Sequence, residues 1–152
     1  MKFDRFVIIT IFAIIFGALL GFTYATAEMA EDILPEWNFP PITVEEERLV
    51  CSIVMHEGNG REMYIAIAQC IKNARDINNW SIKETISLLY GAGRDEWTEE
   101  VTEIVHEVFW NGLKITDEPI EFYYAEDLCY SEWHETQDYC FTILNTRFFK
   151  AK

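Results

Sequence analysis

The sequence predicts an α+β fold in which helices dominate, and three observations predict it. Apolar residues recur at helical spacing in four segments before residue 112. Two of those segments open on a Ser or Thr followed three residues later by Glu, the reciprocal arrangement that satisfies the free N–H groups of a helix start. Beyond residue 120 the chain changes to short aromatic and β-branched runs, which suit a small β element closing over the helices.

The elements follow in order. Thr43 and Glu46 cap a first helix whose apolar positions Leu49, Val50, Ile53 and Val54 carry it to Glu57, where Gly58-Asn59-Gly60 ends it. A second helix spans about 62–75, with Ile65, Ala66, Ala68, Cys70 and Ile71 apolar and the alanines small enough for close packing. Ser81 and Glu84 open a short third helix through Tyr90, stopped by Gly91-Ala92-Gly93. The stripe Trp97, Val101, Ile104, Val105 and Val108 makes a fourth, up to Asn111-Gly112, with Trp97 and Trp110 read as core. Segments 121–124, 141–144 and 147–149 supply the β element, with Phe122 and Phe141 expected in the core and alternation burying one of Tyr123 and Tyr124 and exposing the other.

A chain of 152 residues, half of them hydrophobic, suits one domain once any leader is set aside. Residues 6–24 form an almost unbroken apolar run, preceded by Lys2 and Arg5 and followed by Ala25-Thr26-Ala27. Its length suffices for a membrane span, and the small-x-small triplet suits signal peptidase. Residues 1–27 therefore read as either a cleaved signal peptide or a retained anchor helix. Basic residues on the short N-terminal side place the rest of the chain outside the membrane in both cases, so the expected location is extracytoplasmic, secreted or tethered. Residues 28–42, with Pro35, Pro40, Pro41 and several acids, read as a linker, and 43–152 as the domain.

The formal net charge is −14, and the segment 1–27 contributes none of this excess. Such a domain repels nucleic acid and anionic lipid, which excludes counterion-driven binding to either and favours a neutral or weakly charged ligand. Membrane contact is expected only through the N-terminal segment, if it is retained. The four cysteines all fall in the exported part, where disulfides are permitted. Cys129 and Cys140 bracket a short aromatic loop and are the favoured pair; free buried thiols are the alternative, because Cys51 and Cys70 read as core positions. No Cys/His spacing suggests a metal site, and no cofactor is implied.

Glu57 is the candidate for chemistry. It follows Ile53 by four and Val54 by three, so it continues the apolar stripe of the first helix. An ionised carboxylate in an apolar wall is costly, and such a group keeps its proton where a wet glutamate has lost it. That is the property of a general acid. The competing reading ends the helix at Gly58 and turns Glu57 into water.

Three stretches resemble the SleB-like cell wall hydrolases, a family that includes spore cortex-lytic enzymes. They are His56-Glu57-Gly58-Asn59-Gly60-Arg61-Glu62 with Ile65 to Asn73; Phe122-Tyr123-Tyr124, similar to the family's Phe-Tyr-Asn; and Thr142 to Phe149, similar to its Ile-Gly-Asn-His-x-Phe-Tyr ending. The turn after Glu57 is about two residues shorter than the family's, the family's Asn-Arg is here Asn73-Ala74-Arg75, the region at Arg94-Asp95-Glu96 replaces its Gln-Phe, and Thr146 stands where His is common. These departures bear on substrate contacts more than on the acid.

The resemblance implies a lysozyme-like domain that cuts the β-1,4 bond between N-acetylmuramic acid and N-acetylglucosamine in peptidoglycan strands, facing the cell wall. It implies lytic transglycosylase chemistry with Glu57 as the single catalytic acid. Protonated Glu57 gives its proton to the glycosidic oxygen, then as carboxylate takes one from the muramic 6-hydroxyl as an anhydro ring closes. Hydrolysis would need a second acid about 5–9.5 Å away, and no pattern places Glu62, Asp95 or Glu96 there. Flat faces and amides for a glycan are expected from Tyr123, Tyr124, Tyr130 and Trp133 with Asn145 and Thr146. His56 points away from Glu57 on the helix, and Arg147 either anchors a carboxylate, Glu57 included, or pairs with a surface acid. The alternative function is an inactive peptidoglycan-binding or regulatory module of the same fold, and a weaker one is an exported assembly protein without a sugar ligand.

Overall fold

The computed structural model describes residues 42–128 and 130–152, so the apolar run at 6–24, the linker up to residue 41 and Cys129 lie outside the described residues. Among the described residues no helix is long and apolar enough to cross a membrane. The element order is α1 (Val44–Glu57), α2 (Arg61–Asn78), α3 (Ile82–Leu89), α4 (Glu99–Trp110), β1 (Phe122–Ala125), α5 (Glu132–Glu135), β2 (Asp138–Ile143) and β3 (Thr146–Lys150). The helix-dominated α+β class expected from the sequence is what the chain adopts.

Both capping boxes form. Thr43 N–H donates to the Glu46 carboxylate at 2.8 Å while Glu46 N–H donates to the Thr43 hydroxyl at 3.3 Å, and Ser81 and Glu84 repeat the exchange at 2.8 and 3.2 Å. Such caps are each worth about 1 kcal/mol and fix where α1 and α3 begin. The second helix runs one turn beyond the expected end at 75, because Asn79, at φ 55°, takes the left-handed closing position. Asn73 is thereby left inside α2 and donates its side-chain amide to the Ile120 carbonyl at 2.9 Å. Buried Gln69 accepts from Ile115 N–H at 2.8 Å and donates to the Thr116 carbonyl at 2.9 Å. These two amides hold the 113–121 segment against α2 and so aim β1 at the helical core.

That core joins Val50, Ile53 and Val54 of α1, Ala66, Ile67 and Ile71 of α2, Ile82 of α3 and Val101, Val105 and Phe109 of α4. The fully buried Ala66 and Ala68 allow the close helix approach that the sequence suggested. Trp97 and Trp110 sit at its margin, half-buried, with Trp110 stacked on His106 at 4.6 Å. The loop after α3 is fastened to α1: Ser52 Oγ donates to the Arg94 carbonyl at 2.6 Å, and Arg94 N–H returns a bond to the Ser52 carbonyl at 3.1 Å. Gly93 passes so close to Ser52 that a Cβ would collide with it, which explains a glycine there.

The sheet is antiparallel in the order β1-β3-β2. Tyr123 and Phe141 both pair with Phe148, and these three aromatics face the helices. Phe122 and Phe149 pair on the opposite face, which also carries Tyr124 and Arg147. That face is covered by α5, a four-residue helix too short to show any periodicity in the sequence. Cys140 sits at a bulge between the Tyr139–Phe149 and Phe141–Phe148 pairs.

Candidate active site

Where α1 ends decides where Glu57 points. Gly58 N–H donates to the Val54 carbonyl at 2.9 Å and the backbone then turns extended, so Glu57 is the last helical residue. Gly58 is required there, because a Cβ would sit 2.5 Å from the Tyr64 ring and 2.8 Å from the Val54 carbonyl oxygen. The apolar stripe stops at Val54; His56 and Glu57 are exposed. This corrects the expectation of a glutamate sunk in an apolar wall: the helix ends at Glu57 as expected, but its last turn stands clear of the core and the carboxylate is exposed.

Glu57 nonetheless lines a concavity. A cavity of about 250 Å³ is enclosed by Glu57, by Leu88, Leu89, Tyr90 and Gly91 after α3, by Glu121, Phe122 and Tyr123 of β1, and by Trp133 and His134 of α5. Four segments of the chain meet there, and they bring Glu57 and Glu121 to one cavity. Trp133 is 53% exposed on the rim, with its ring nearly perpendicular to that of Phe122 and the centroids 4.9 Å apart. His134 Nδ1 is hydrogen-bonded to Ser131 Oγ at 2.6 Å, and burial holds its imidazole below the ordinary histidine value.

Deeper in the cavity wall are two tyrosine hydroxyls without partners. The oxygens of Tyr90 and Tyr123 are sealed from solvent and make no hydrogen bond, while their rings lie 5.9 Å apart. Burial pushes both phenols well above their usual range; Cys70 adds to this for Tyr90 and Tyr90 for Tyr123, and Glu57 adds to it for both. Glu121 is 4% exposed in the same wall. Its oxygens accept from the Asn78 amide at 3.4 Å and from Ala151 N–H at 3.3 Å.

No family model matches the chain, and no characterised protein matches it by sequence. Among solved structures, it is similar to the catalytic domain of the germination-specific lytic transglycosylase SleB from Bacillus anthracis, with a TM-score of 0.63 and 17% identity over 77% of this chain and 100% of that one. It is also similar to the SleB catalytic domain of Bacillus cereus, with a TM-score of 0.56 and 17% identity over 76% of this chain and 98% of that one. The domain has the SleB catalytic fold.

On this SleB-like scaffold the residues singled out from the sequence separate into two groups. Glu57, Tyr123 and Trp133 share the cavity. Tyr123, however, is not a stacking platform: its ring is packed between Tyr90 and Phe148, the latter at 5.5 Å, and its hydroxyl is buried. Tyr124 lies on the other side of the sheet, stacked on Phe149 at 5.7 Å with its hydroxyl donated to Glu135 at 2.5 Å. Asn145 is at the tip of the β2–β3 hairpin, exposed, and its carbonyl accepts from Glu126 N–H at 2.8 Å; Thr146 is buried beside it. Neither lines the cavity, because the two-residue turn carries them past it.

Arg147 pairs with Glu135 at 3.0 Å and Glu126 at 3.6 Å and lies over the Tyr139 and Phe149 rings, so it serves the sheet and not Glu57. Glu62, Asp95 and Glu96 are exposed outside the cavity. Cys140, expected to bridge with Cys129, is a free thiol whose bulge position turns it toward the Asp138 carbonyl at 3.7 Å. Cys51 and Cys70 are free and buried, with burial pushing the Cys51 thiol up to about 12, as inert core thiols behave. Sequence reasoning missed Tyr90, Glu121 and His134. The only local sign of Tyr90 is its place directly after an apolar helix end and before Gly91.

Proposed function

We propose that this domain cleaves the β-1,4 glycosidic bonds of peptidoglycan strands from outside the cytoplasmic membrane, with Glu57 as catalytic acid in a lytic transglycosylase reaction. The observation that carries the reading is the position of Glu57 at the end of α1, on a cavity between the helices and β1 of a SleB-like fold. Trp133 and the Leu88–Leu89 edge form the apolar rim against which sugar rings rest. An exposed acid becomes a useful one when the glycan itself covers the cavity and expels water. Glu57 then protonates the glycosidic oxygen and, as carboxylate, accepts the proton of the muramic 6-hydroxyl.

Among the described residues Glu121 is the one other carboxylate on the cavity, and its engagement with Asn78 and Ala151 suits a structural role better than that of a nucleophile. One acid therefore serves both half-reactions. The acidic domain and a cavity lining that holds no Lys or Arg among the described residues favour a ligand that is neutral at the cleaved bond. The test is clearing of purified cell wall sacculi by the wild type and by Glu57→Gln. Loss of at least a hundredfold in the variant, with strand binding kept, is expected from removing a general acid. Clearing that persists in Glu57→Gln removes the assignment, and strand binding without clearing by the wild type replaces the enzyme by a recognition module.

A further inference from the structure

Buried hydroxyls in folded proteins are nearly always paired, and leaving one without a partner costs about 1–3 kcal/mol. Here two stand together, Tyr90 from the end of α3 and Tyr123 from β1, in the wall of the cavity that carries the candidate acid. Neither is explained by the fold. The Tyr123 ring fills space between Tyr90 and Phe148, and a phenylalanine at either position would fill the same space. The hydroxyls are thus surplus to packing.

The acid has the complementary deficit. Glu57 is exposed at the end of a helix, and among the described residues no hydrogen bond or ion pair orients its carboxylate. Glu57, Tyr90 and Tyr123 line the same cavity, which brings the carboxylate to the wall that holds both phenols. Glu121 also bears on Tyr90, but it already has two hydrogen-bond donors of its own. Glu57 has none.

We propose that Tyr90 and Tyr123 form a two-hydroxyl seat that positions Glu57: when a glycan strand fills the cavity, the Glu57 side chain turns inward and accepts both phenolic O–H groups. This rests on the reading of Glu57 as the acid and adds positioning residues to it. The seat answers a requirement peculiar to one acid doing two jobs. Covered by the strand, Glu57 keeps its proton readily, and two O–H donors keep the carboxylate accessible enough for the return half of the reaction. Before the strand arrives, the unpaired hydroxyls are a cost to the free domain.

Tyr90→Phe keeps the ring and removes the hydroxyl, and three readouts decide. Sacculus clearing by Tyr90→Phe is expected to fall about tenfold, the worth of one hydrogen bond of this kind. The high-pH edge of its activity profile is expected to move to higher pH, because a donor to the carboxylate has been lost. Its melting temperature is expected to equal or exceed that of the wild type, since no bond in the free domain is broken. Tyr123→Phe should repeat all three.

Clearing equal to wild type by both variants overturns the seat while leaving the enzyme reading intact. Reduced clearing with an unmoved pH edge overturns it as well, as does a lowered melting temperature, which would reveal a structural partner for the hydroxyl. A wild type that clears nothing removes the enzyme reading and the seat together.

Discussion

Tyr123 and Tyr124 follow one another in β1, yet Tyr124 donates its hydroxyl to Glu135 at 2.5 Å while the hydroxyl of Tyr123 is buried with no partner. Alternation along the strand sends them to opposite faces of one sheet. Around Tyr124 the polar groups join in one network: Glu135 also holds Arg147, whose guanidinium lies over Tyr139 and Phe149. Around Tyr123, the neighbours are Tyr90, also unpaired, and a cavity with Glu57 on its wall. A satisfied network is what a fold needs to hold itself together, and an unsatisfied one points to something that arrives later.

Three substitutions test that contrast. Gly58→Ala attacks the cavity side alone, since its Cβ would press on the Tyr64 ring and the Val54 carbonyl and push the end of α1 outward. A loss of about 1–3 kcal/mol in chemical denaturation is expected, with sacculus clearing reduced beyond what the folded fraction accounts for. Tyr124→Phe attacks the other side. It should lower the melting temperature by several degrees, because Glu135 loses its short bond, while the pH profile of clearing stays where it was. A moved profile would show that the two faces of the sheet are not separate.

The smallest effect concerns His134, which sits between the two regions, on the cavity and 5.4 Å from the Tyr124 ring. Burial holds it below 6.5, so the unfolded chain takes up a proton first as pH falls. The folded state therefore loses stability as pH drops through about 6.5 and below, and His134→Gln should flatten that part of the curve by a modest amount. Melting temperatures between pH 7 and pH 5 in both proteins check the sign.

Which of these features could be read from the chain depends on how local their causes are. The capping boxes at Thr43 and Ser81 and the end of α1 at Gly58 are settled within four residues, and the sequence states them correctly. The fold class followed from the change of pattern after residue 120. Alternation told that Tyr123 and Tyr124 take opposite faces, but the expectation that one of them is exposed fails, because α5 covers the second face and Tyr124 is buried under it; the face on which the cavity lies depends on how Gln69 and Asn73 hold the segment before β1. Asn145 was expected beside the ligand because its stretch resembles a family ending; the turn at Leu144, φ 53°, carries it to the hairpin tip instead. Tyr90 and Glu121 were invisible for the same reason that they matter. Their setting is assembled from α3, β1 and the end of α1, and no short motif spans the three.

The claim on which the rest depends is that a single carboxylate both gives and takes back the proton. Mass analysis of the glycan ends released from sacculi by the wild-type domain tests it most directly. Fragments ending in 1,6-anhydro-N-acetylmuramic acid are the predicted result, and they should persist in Glu121→Gln. Reducing ends released by the wild type and lost in Glu121→Gln would contradict the account, because they would make water the acceptor and Glu121 the second acid.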